Sequence, residues 1–299
     1  MPELPDIQAY QHALGVRLIG KPMEGIRLQS PFLLRSVEPP ITAAIGQEVR
    51  AIRRIGKRLV LEFDQELFLV LHLMIAGRLH WRKAGAGLPG KAGLAAFDFE
   101  HGSLTLTEAG SKRRASLHMA QGESALAEHD RGGADVMALD PEGFRRILAL
   151  ENHTLKRTLI DQRFFSGIGN AYSDEILHHA GLSPLQWSSR LDEAQSGRLF
   201  ESTQAVLTSW CERLMAEAQI SFPEKVTAFR PDMAVHGRYG KPCPKCEAPI
   251  QRIVYASRET NYCAPCQTNG KLLADRALSQ LLKKDWPRTL EEMEARRQT

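Results

Sequence analysis

The chain has 299 residues and a formal net charge of +4, with 43% hydrophobic and 25% charged residues. These values are ordinary for a globular protein, and a chain of this length usually folds as more than one domain. No apolar run approaches the roughly 20 residues of a membrane-spanning helix, and the N-terminus lacks a signal-peptide pattern. We therefore predict a protein without membrane contacts, in a reduced cytoplasmic compartment.

Residues 1–6, MPELPD, predict both a helix start and a reactive amine. Pro5 and the acidic Glu3 and Asp6 are typical of a first helical turn. If the initiator methionine is removed, Pro2 carries a free secondary amine, and the positive helix end lowers the pKa of that amine. A neutral amine of this kind can attack a sugar C1′, with Glu3 beside it to transfer protons. A capped surface helix is the alternative interpretation.

After this helix, residues 23–107 are predicted to be mostly strands. Leu59–Phe63 and Leu67–Leu73 are rich in β-forming residues, and Ser103–Thr107 alternates Leu with Ser or Thr. Residues 84–95 are predicted to form a flexible loop. Several short strands with little helix indicate a β-sandwich or a barrel.

Polar and glycine-rich residues within 126–140 predict a linker, and apolar residues at helical spacing from Pro141 onward predict a helical second half. This half contains Gly167–Asn170, where two glycines allow close backbone approach to a ligand. Backbone N–H groups at the following helix start, with Lys156 nearby, predict a phosphate site. A turn between two helices, with Asn170 as the cap, is the alternative of equal weight.

The cysteines Cys243, Cys246, Cys263 and Cys266 form two Cys-x-x-Cys pairs separated by sixteen residues. Each pair can hold one side of a tetrahedral zinc ion, and the spacer has room for a β-hairpin. Because four thiolates leave no open coordination position, we predict one structural zinc ion. Arg258 falls in the predicted hairpin and can reach a nucleic acid, although an ordinary zinc ribbon with exposed basic residues fits the same pattern.

These motifs resemble, in their order along the chain, the formamidopyrimidine-DNA glycosylase and endonuclease VIII family of base-excision repair enzymes. The residues that carry the resemblance are PELPD, Gly56-Lys57 before a strand, LKRTLIDQ with GIGNAYSDEIL, and the cysteine module. The resemblance implies an α+β protein. Its N-terminal β-sandwich follows a leading helix, and its C-terminal helical domain has a helix–two-turn–helix motif and a zinc-finger β-hairpin. The expected divisions are a catalytic sandwich (1–125), a linker (126–140), a helix–two-turn–helix domain (141–230), a zinc finger (231–270) and a helical tail (271–299).

The resemblance also implies roles for single residues. Pro2 corresponds to the Schiff-base nucleophile and Glu3 to the acid that protonates the sugar ring oxygen, whereas Asp6 replaces the family's usual Glu. The residues expected at the phosphates beside the extruded nucleotide are Lys57, Lys156, Asn170 and Arg258, of which Lys57 and Arg258 also belong to the implied catalytic set. The implied partner is damaged DNA, bound by a monomer without a redox cofactor.

Three segments depart from the family pattern. The void-filling loop reads HLMIAG, so that either Met74 or Ile75 is the expected wedge. Arg113 and Arg114 precede Ala-Ser where the oxopurine enzymes have a Phe, which predicts a preference for single-stranded or distorted DNA, with an arginine bonded to the orphaned base. The short stretch 220–235 favours oxidised pyrimidines, hydantoins or abasic sites over 8-oxoguanine.

Together these features predict a bifunctional DNA glycosylase and abasic-site lyase, associated with the nucleoid if the source is bacterial. One alternative is a family member that binds damaged, abasic or branched DNA without excising bases. A second alternative is a zinc-ribbon interaction protein with no DNA role, for which no steep salt dependence of DNA affinity is expected.

Overall fold

The computed structural model describes residues 1–255, 258–274, 280–281 and 285–297. The chain divides into two compact units. The first unit consists of Met1–Gly133 and Ser209–Thr227, and the second of Ala134–Thr208 and Ala228–Thr299. Across the described ranges, no helix combines the length and apolar character needed to cross a bilayer.

The first unit begins with helix α1, Leu4–Leu18. Glu3 and Asp6 form a capping box, in which the Glu3 side chain accepts from the Asp6 N–H and Asp6 Oδ2 accepts from the Glu3 N–H at 2.9 Å. One helix face, with Ile7, Tyr10 and Leu14, is fully buried in the core of the unit. The predicted helix start is therefore correct.

Two four-stranded antiparallel sheets follow. The first contains, in spatial order, β1 (Gly25–Leu28), β6 (Gly93–Phe99), β7 (Gly102–Glu108) and β5 (Gly77–Arg82). The second contains β2 (Ala51–Ile55), β3 (Arg58–Glu62), β4 (Leu67–His72) and β8 (Ser116–Gln121). Leu69 and Leu71 of one sheet share a buried cluster with Leu104 and Leu106 of the other. The sequence predicted either a β-sandwich or a barrel, and the structure has the β-sandwich.

The predicted loop 84–95 is shorter than expected, because β6 begins at Gly93. Leu94 is buried and Ala95 pairs with Leu106 of β7, so the sheet extends into this glycine-rich stretch. On the outer face of the other sheet, helix α2 (Glu123–Ala127) places Leu126 against an apolar cluster.

Residues 209–227 also belong to the first unit, although the expected boundaries placed them in the helical domain. Ala9 and Ala13 of α1 form a buried cluster with Leu214 and Ala218. The small alanines leave room for a helix to pack closely, and this long-range contact has no local signature in the sequence.

The second unit is mainly helical, as predicted. Its helices are α3 (Pro141–Leu150), α4 (Leu155–Ile160), α5 (Asn170–Ala180), the first part of α6 (Glu193–Ile220), α7 (Ala264–Thr268) and α8 (Leu290–Arg297). Strands β9 (Ala134–Asp135) and β10 (Phe165–Ser166) pair in parallel, and β11 (Gln251–Tyr255) and β12 (Arg258–Tyr262) form the predicted antiparallel hairpin.

The expected linker and tail are partly regular. Within 126–140, only residues 128–133 and 139–140 lie outside helices and strands. In the expected tail, α8 follows Pro287. Leu278 and Leu282, on which the amphipathic-helix prediction partly rests, lie outside the described residues.

Candidate active site and nucleic-acid interface

The start of the chain lies in a buried, charged environment in the first unit. Pro2 is buried, and the Glu3 side chain is only 3% exposed. The pKa of the Met1 amine is lowered from its usual 8.0, chiefly by burial; Glu3 raises this pKa, and Arg78 and Lys57 lower it. The sequence prediction concerned the amine of Pro2 after removal of Met1, so it stays a prediction; at Met1 the principal cause of the lowered pKa is burial.

Asp6 has a clear structural role in this environment. Its carboxylate, shorter than the glutamate usual in the family, still reaches the Glu3 backbone N–H at 2.9 Å. Asp6 is 2% exposed and therefore fixes the backbone beside Pro2 without facing solvent. The substitution thus preserves the capping box.

Lys57 lies at the tight turn between β2 and β3. The preceding Gly56 has φ +57°, a left-handed conformation that favours glycine. The Lys57 side chain is largely buried, and its charge acts on both the terminal amine and the His72 imidazole. Its catalytic role stays a prediction.

The loop between β4 and β5 carries the two expected wedge residues. A Cβ on Gly77 would lie 2.2 Å from the Leu73 carbonyl oxygen, so only glycine allows this turn. Met74 has φ +54°, the left-handed conformation of a position where the family commonly has glycine. Met74 is half-buried, whereas Ile75 is 62% exposed. The loop therefore presents Ile75 to solvent.

Arg78 stabilises this loop and was missed by the sequence analysis. Its Nη1 donates to the carbonyl oxygens of Ile75 and Gly77, at 3.1 and 2.7 Å. Its charge also lowers the pKa of the terminal amine. In the sequence, the feature that could have identified Arg78 was its position directly after the void-filling loop.

The β7–β8 loop holds Arg113 and Arg114 on the exposed surface. Buried Glu108 accepts from the backbone N–H groups of Arg114 and Ala115 at 2.9–3.0 Å, which fixes the base of the loop. Arg113 donates to the Lys91 carbonyl. Ala115, which follows the two arginines, is small and buried. The loop therefore presents arginines to solvent and has no aromatic side chain that could act as a wedge.

We expect His72 to make the stability of the protein depend on pH. Burial, followed by the charges of Arg58 and Lys57, lowers the pKa of His72 from 6.5 to about 4. Between these values the unfolded chain binds a proton that the folded protein does not, so the free energy of unfolding must fall as the pH drops from about 6.5 towards 4. We expect His72→Gln to reduce this loss by about 1 kcal/mol between pH 7 and 5, after allowance for solvent screening.

Urea unfolding of wild type and variant at pH 7 and pH 5 measures the effect. His118→Gln serves as a comparison, because the pKa of His118 is also lowered to about 4, chiefly by burial. Equal pH dependence in wild type and both variants would contradict the assignment.

In the second unit, Lys156 differs from its expected role. Its Nζ donates to Asp174 Oδ1 and to the Asn170 carbonyl oxygen, both at 2.6 Å, and the residue is 7% exposed. Because Asp174 is fully buried, it requires a cation nearby. Lys156 therefore stabilises the Gly167–Asn170 turn through these two hydrogen bonds, in place of the direct phosphate contact that we expected.

Asn170 is the first residue of α5, and Gly169 occupies the N-cap position. The Asn170 side chain does not cap the helix; its Nδ2 donates to the Glu259 carbonyl oxygen of β12 at 2.7 Å. Gly167 has φ +91°, which explains the glycine there. The turn and the hairpin are consequently joined by the residue predicted to bind phosphate.

The four cysteines converge next to the hairpin, with all Sγ atoms within 4.8 Å of one another. The distances are 3.9 Å from Cys243 to Cys266 and 3.4 Å from Cys246 to Cys263. A tetrahedral zinc ion with Zn–S bonds of about 2.3 Å needs sulfur separations of roughly 3.8 Å, so this cluster fits it. Arg258 opens β12 opposite Tyr255; its side chain lies outside the described part of the structure.

The fold and the cysteine cluster define a class of proteins in which a β-sandwich unit and a helical unit are combined with a four-cysteine zinc finger. Family models match three consecutive stretches: the formamidopyrimidine-DNA glycosylase N-terminal domain over residues 1–129, the formamidopyrimidine-DNA glycosylase H2TH domain over 134–219, and the zinc finger found in FPG and IleRS over 240–269. The chain belongs to the formamidopyrimidine-DNA glycosylase family. Its four cysteines are the ligands of one structural zinc ion.

Individual relatives agree with this assignment. A formamidopyrimidine-DNA glycosylase of Heliobacterium modesticaldum is 32% identical over 284 residues, which is 89% of this chain and 100% of that protein. An uncharacterized formamidopyrimidine-DNA glycosylase-like protein of Mycobacterium tuberculosis is 38% identical over 152 residues, 50% of this chain and 94% of that protein.

The structure is also similar to that of the Lactococcus lactis enzyme in complex with DNA containing Fapy-dG, with a TM-score of 0.79, 24% identity and coverage of 89% of this chain and 100% of that one. The same enzyme bound non-covalently to DNA with an abasic site gives a TM-score of 0.78 at 23% identity, covering 89% and 99%. At this identity the similarity shows the shared fold.

Proposed function

We propose that this protein is a bifunctional DNA glycosylase and abasic-site lyase that removes oxidised bases from DNA through the amine of Pro2. The observation that carries the proposal is the chain start, where Pro2 and Glu3 are buried and the charges of Lys57 and Arg78 act on the terminal amine of Met1. Burial lowers the pKa of the Met1 amine, and burial of Pro2 favours a neutral, nucleophilic amine there once Met1 is removed. Family membership supports the glycosylase assignment.

The reaction follows from these groups. The Pro2 nitrogen attacks C1′ of an extruded nucleotide, and the bond from C1′ to the damaged base breaks. The base leaves with the electron pair and takes up a proton, while the Pro2 nitrogen releases its own proton. Glu3 donates a proton to the ring oxygen, so that the sugar opens to an iminium ion. The iminium acidifies C2′; loss of that proton expels the 3′ phosphate, and a second elimination can expel the 5′ phosphate.

We assign the DNA contacts separately in each unit. In the first, Lys57 holds a phosphate, Arg113 and Arg114 face the strand opposite the lesion, and Ile75 is the wedge, since it is far more exposed than Met74. Because an aromatic partner is missing from the arginine loop, duplexes that are already distorted, forked or single-stranded are the favoured substrates. Oxidised pyrimidines, hydantoins and abasic sites remain the favoured lesions.

In the second unit, Asn170 and Arg258 are the phosphate ligands. They lie on elements joined by the hydrogen bond from Asn170 to Glu259, the residue after Arg258. A hairpin strand held in a constant position relative to Asn170 can bind a neighbouring phosphate of the same DNA strand, which fixes position on DNA without reading its sequence.

Borohydride trapping on DNA with an abasic site tests the catalytic role of Pro2. Wild-type protein, with its initiator methionine removed, should give a covalent adduct, and Pro2→Gly should lose most of it. A secondary amine forms an iminium that is always charged, whereas the primary amine of the variant forms an imine that must be protonated first. Pro5→Gly, which alters another proline of the first turn, is the matched control and should still be trapped.

An equal yield of adduct from Pro2→Gly and wild type would contradict the mechanism, as would trapped wild-type protein that retains Met1 by mass spectrometry. The missing aromatic in the 109–115 loop favours one second candidate, a binder of damaged or branched DNA without catalysis. That protein would give no adduct and yet retain a DNA affinity that falls steeply with salt.

A further inference from the structure

A buried carboxylate forms the centre of a polar network in the second unit. Asp174, four residues after Asn170 in α5, is fully buried. Its Oδ1 accepts from Lys156 Nζ at 2.6 Å, and its Oδ2 accepts from His236 Nδ1 at 2.7 Å and from the Asn261 backbone N–H at 3.1 Å. Since a carboxylate only accepts, the His236 Nδ1 carries the proton.

The donors come from separate segments of the chain. Lys156 lies in α4, His236 follows α6, and Asn261 lies in the hairpin strand that begins at Arg258. The segment that carries His236 is itself held by Glu175, whose carboxylate accepts from the backbone N–H groups of residues 234–236 at 2.7–2.9 Å. Two adjacent acidic residues of α5, Asp174 and Glu175, therefore bind these segments near the start of that helix.

The network connects the two proposed phosphate ligands. Asn170 donates to the Glu259 carbonyl oxygen at 2.7 Å, and Asp174, one helical turn further, accepts from the N–H of Asn261, two residues further along β12. Lys156 completes the network, because its Nζ donates to both Asp174 and the Asn170 carbonyl oxygen. The hairpin strand is thus held against α5 at two successive points.

Stability alone does not explain this polar centre. Among the described residues, Asn170 Oδ1 and both polar side-chain atoms of Asn261 are buried without a hydrogen-bond partner. Buried unpaired polar atoms destabilise a fold, and a buried ion pair is commonly no better than well-packed apolar residues. A polar centre that is retained although it destabilises the fold is expected where the function requires a definite geometry.

We propose that Asp174 is a positioning residue, which sets the separation between Asn170 and the Arg258 strand so that both bind phosphates of one DNA strand. This inference rests on the proposed DNA-binding function. It predicts that Asp174 acts through Asn170, so that the loss of either residue removes the same part of the affinity.

A double-mutant cycle tests this role, with a duplex that contains a tetrahydrofuran abasic-site analogue as the probe. Asp174→Asn and Asn170→Ala should each raise Kd roughly tenfold. Each should also reduce the dependence of log Kd on log salt by about one phosphate contact, that of the cationic Arg258, because the hairpin strand loses its position and Asn170 itself is uncharged. The double variant should be within about threefold of either single variant. Losses that multiply, or an unchanged salt dependence in Asp174→Asn, would overturn the proposal.

Asp174→Asn leaves the buried charge of Lys156 without its carboxylate partner, which destabilises the fold. A second variant separates this effect from a loss of DNA binding. Lys156→Met with Asp174→Leu removes both charges together and should lose the same salt dependence while it retains zinc and a thermal transition. Wild-type salt dependence in this pair would overturn the proposal. Glu193→Gln, which removes an exposed carboxylate of the same unit, is the matched control and should bind as wild type does.

Failure of the inference can be distinguished from failure of the proposed function. If wild-type protein shows no salt-dependent affinity for the probe, the proposed function is wrong, and the positioning role falls with it. If wild type binds as expected and the losses in the cycle multiply, only the role of Asp174 is wrong.

Discussion

Replacing Glu3 by Gln is expected to lower the rate of base excision by about 10³-fold while the protein stays folded. The amide oxygen can still accept from the Asp6 backbone N–H, so the capping box at the start of α1 is preserved. The amide is not acidic enough to transfer a proton to the sugar ring oxygen, however. Single-turnover assays on duplexes that contain an oxidised pyrimidine, a hydantoin or 8-oxoguanine measure the rate.

Asp6→Asn is the matched control, because it alters the other carboxylate of the same capping box. It should leave excision within a few-fold of wild type and lower the free energy of unfolding by about 1 kcal/mol, since the bond to the Glu3 N–H is weakened. Wild-type excision by Glu3→Gln would contradict the proton-donor role, and so would an equally large loss in Asp6→Asn.

Cys263→Ser should abolish tight zinc binding and reduce affinity for abasic-site DNA roughly 100-fold or more, because the hairpin that carries Arg258 loses its support. Binding of structural zinc contributes about 10–16 kcal/mol to the folding of isolated zinc fingers, far more than the hairpin can replace. The β-sandwich should stay folded. Zinc content, DNA titration and thermal unfolding of the same preparation measure these three outcomes.

Cys211→Ser is the control for the chemistry of the substitution. Cys211 is buried in α6, outside the cysteine cluster, so this variant should retain its zinc and its DNA affinity. Loss of the whole thermal transition in Cys263→Ser would show that the finger is not an independent module. Unchanged DNA affinity after zinc loss would contradict the role of the hairpin.

Features that depend on nearby residues could be predicted from the sequence. The capping box requires only Glu3 and Asp6, the strands follow from the alternation in stretches such as Ser103–Thr107, and the cysteine cluster follows from two short pairs. Each of these is encoded within a few residues or by a spacing that chemistry restricts. The resemblance then supplied the arrangement of the elements.

Features that depend on contacts between distant segments could not be predicted in this way. Lys156 reads as a phosphate ligand until its partner Asp174, eighteen residues away, is known. Arg78 gains its position only when β5 brings it near the chain start. A basic residue near a glycine turn has the same local pattern whether it faces solvent or a buried acid, so the sequence alone does not separate these roles.

The division of α6 between the two units has a consequence for biosynthesis. Ala9 and Ala13, near the beginning of the chain, are covered by Leu214 and Ala218. A nascent chain that has emerged from the ribosome only as far as residue 133 therefore still exposes this apolar strip. The N-terminal unit can be completed only after the intervening helices have been translated, which makes folding during synthesis discontinuous along the chain.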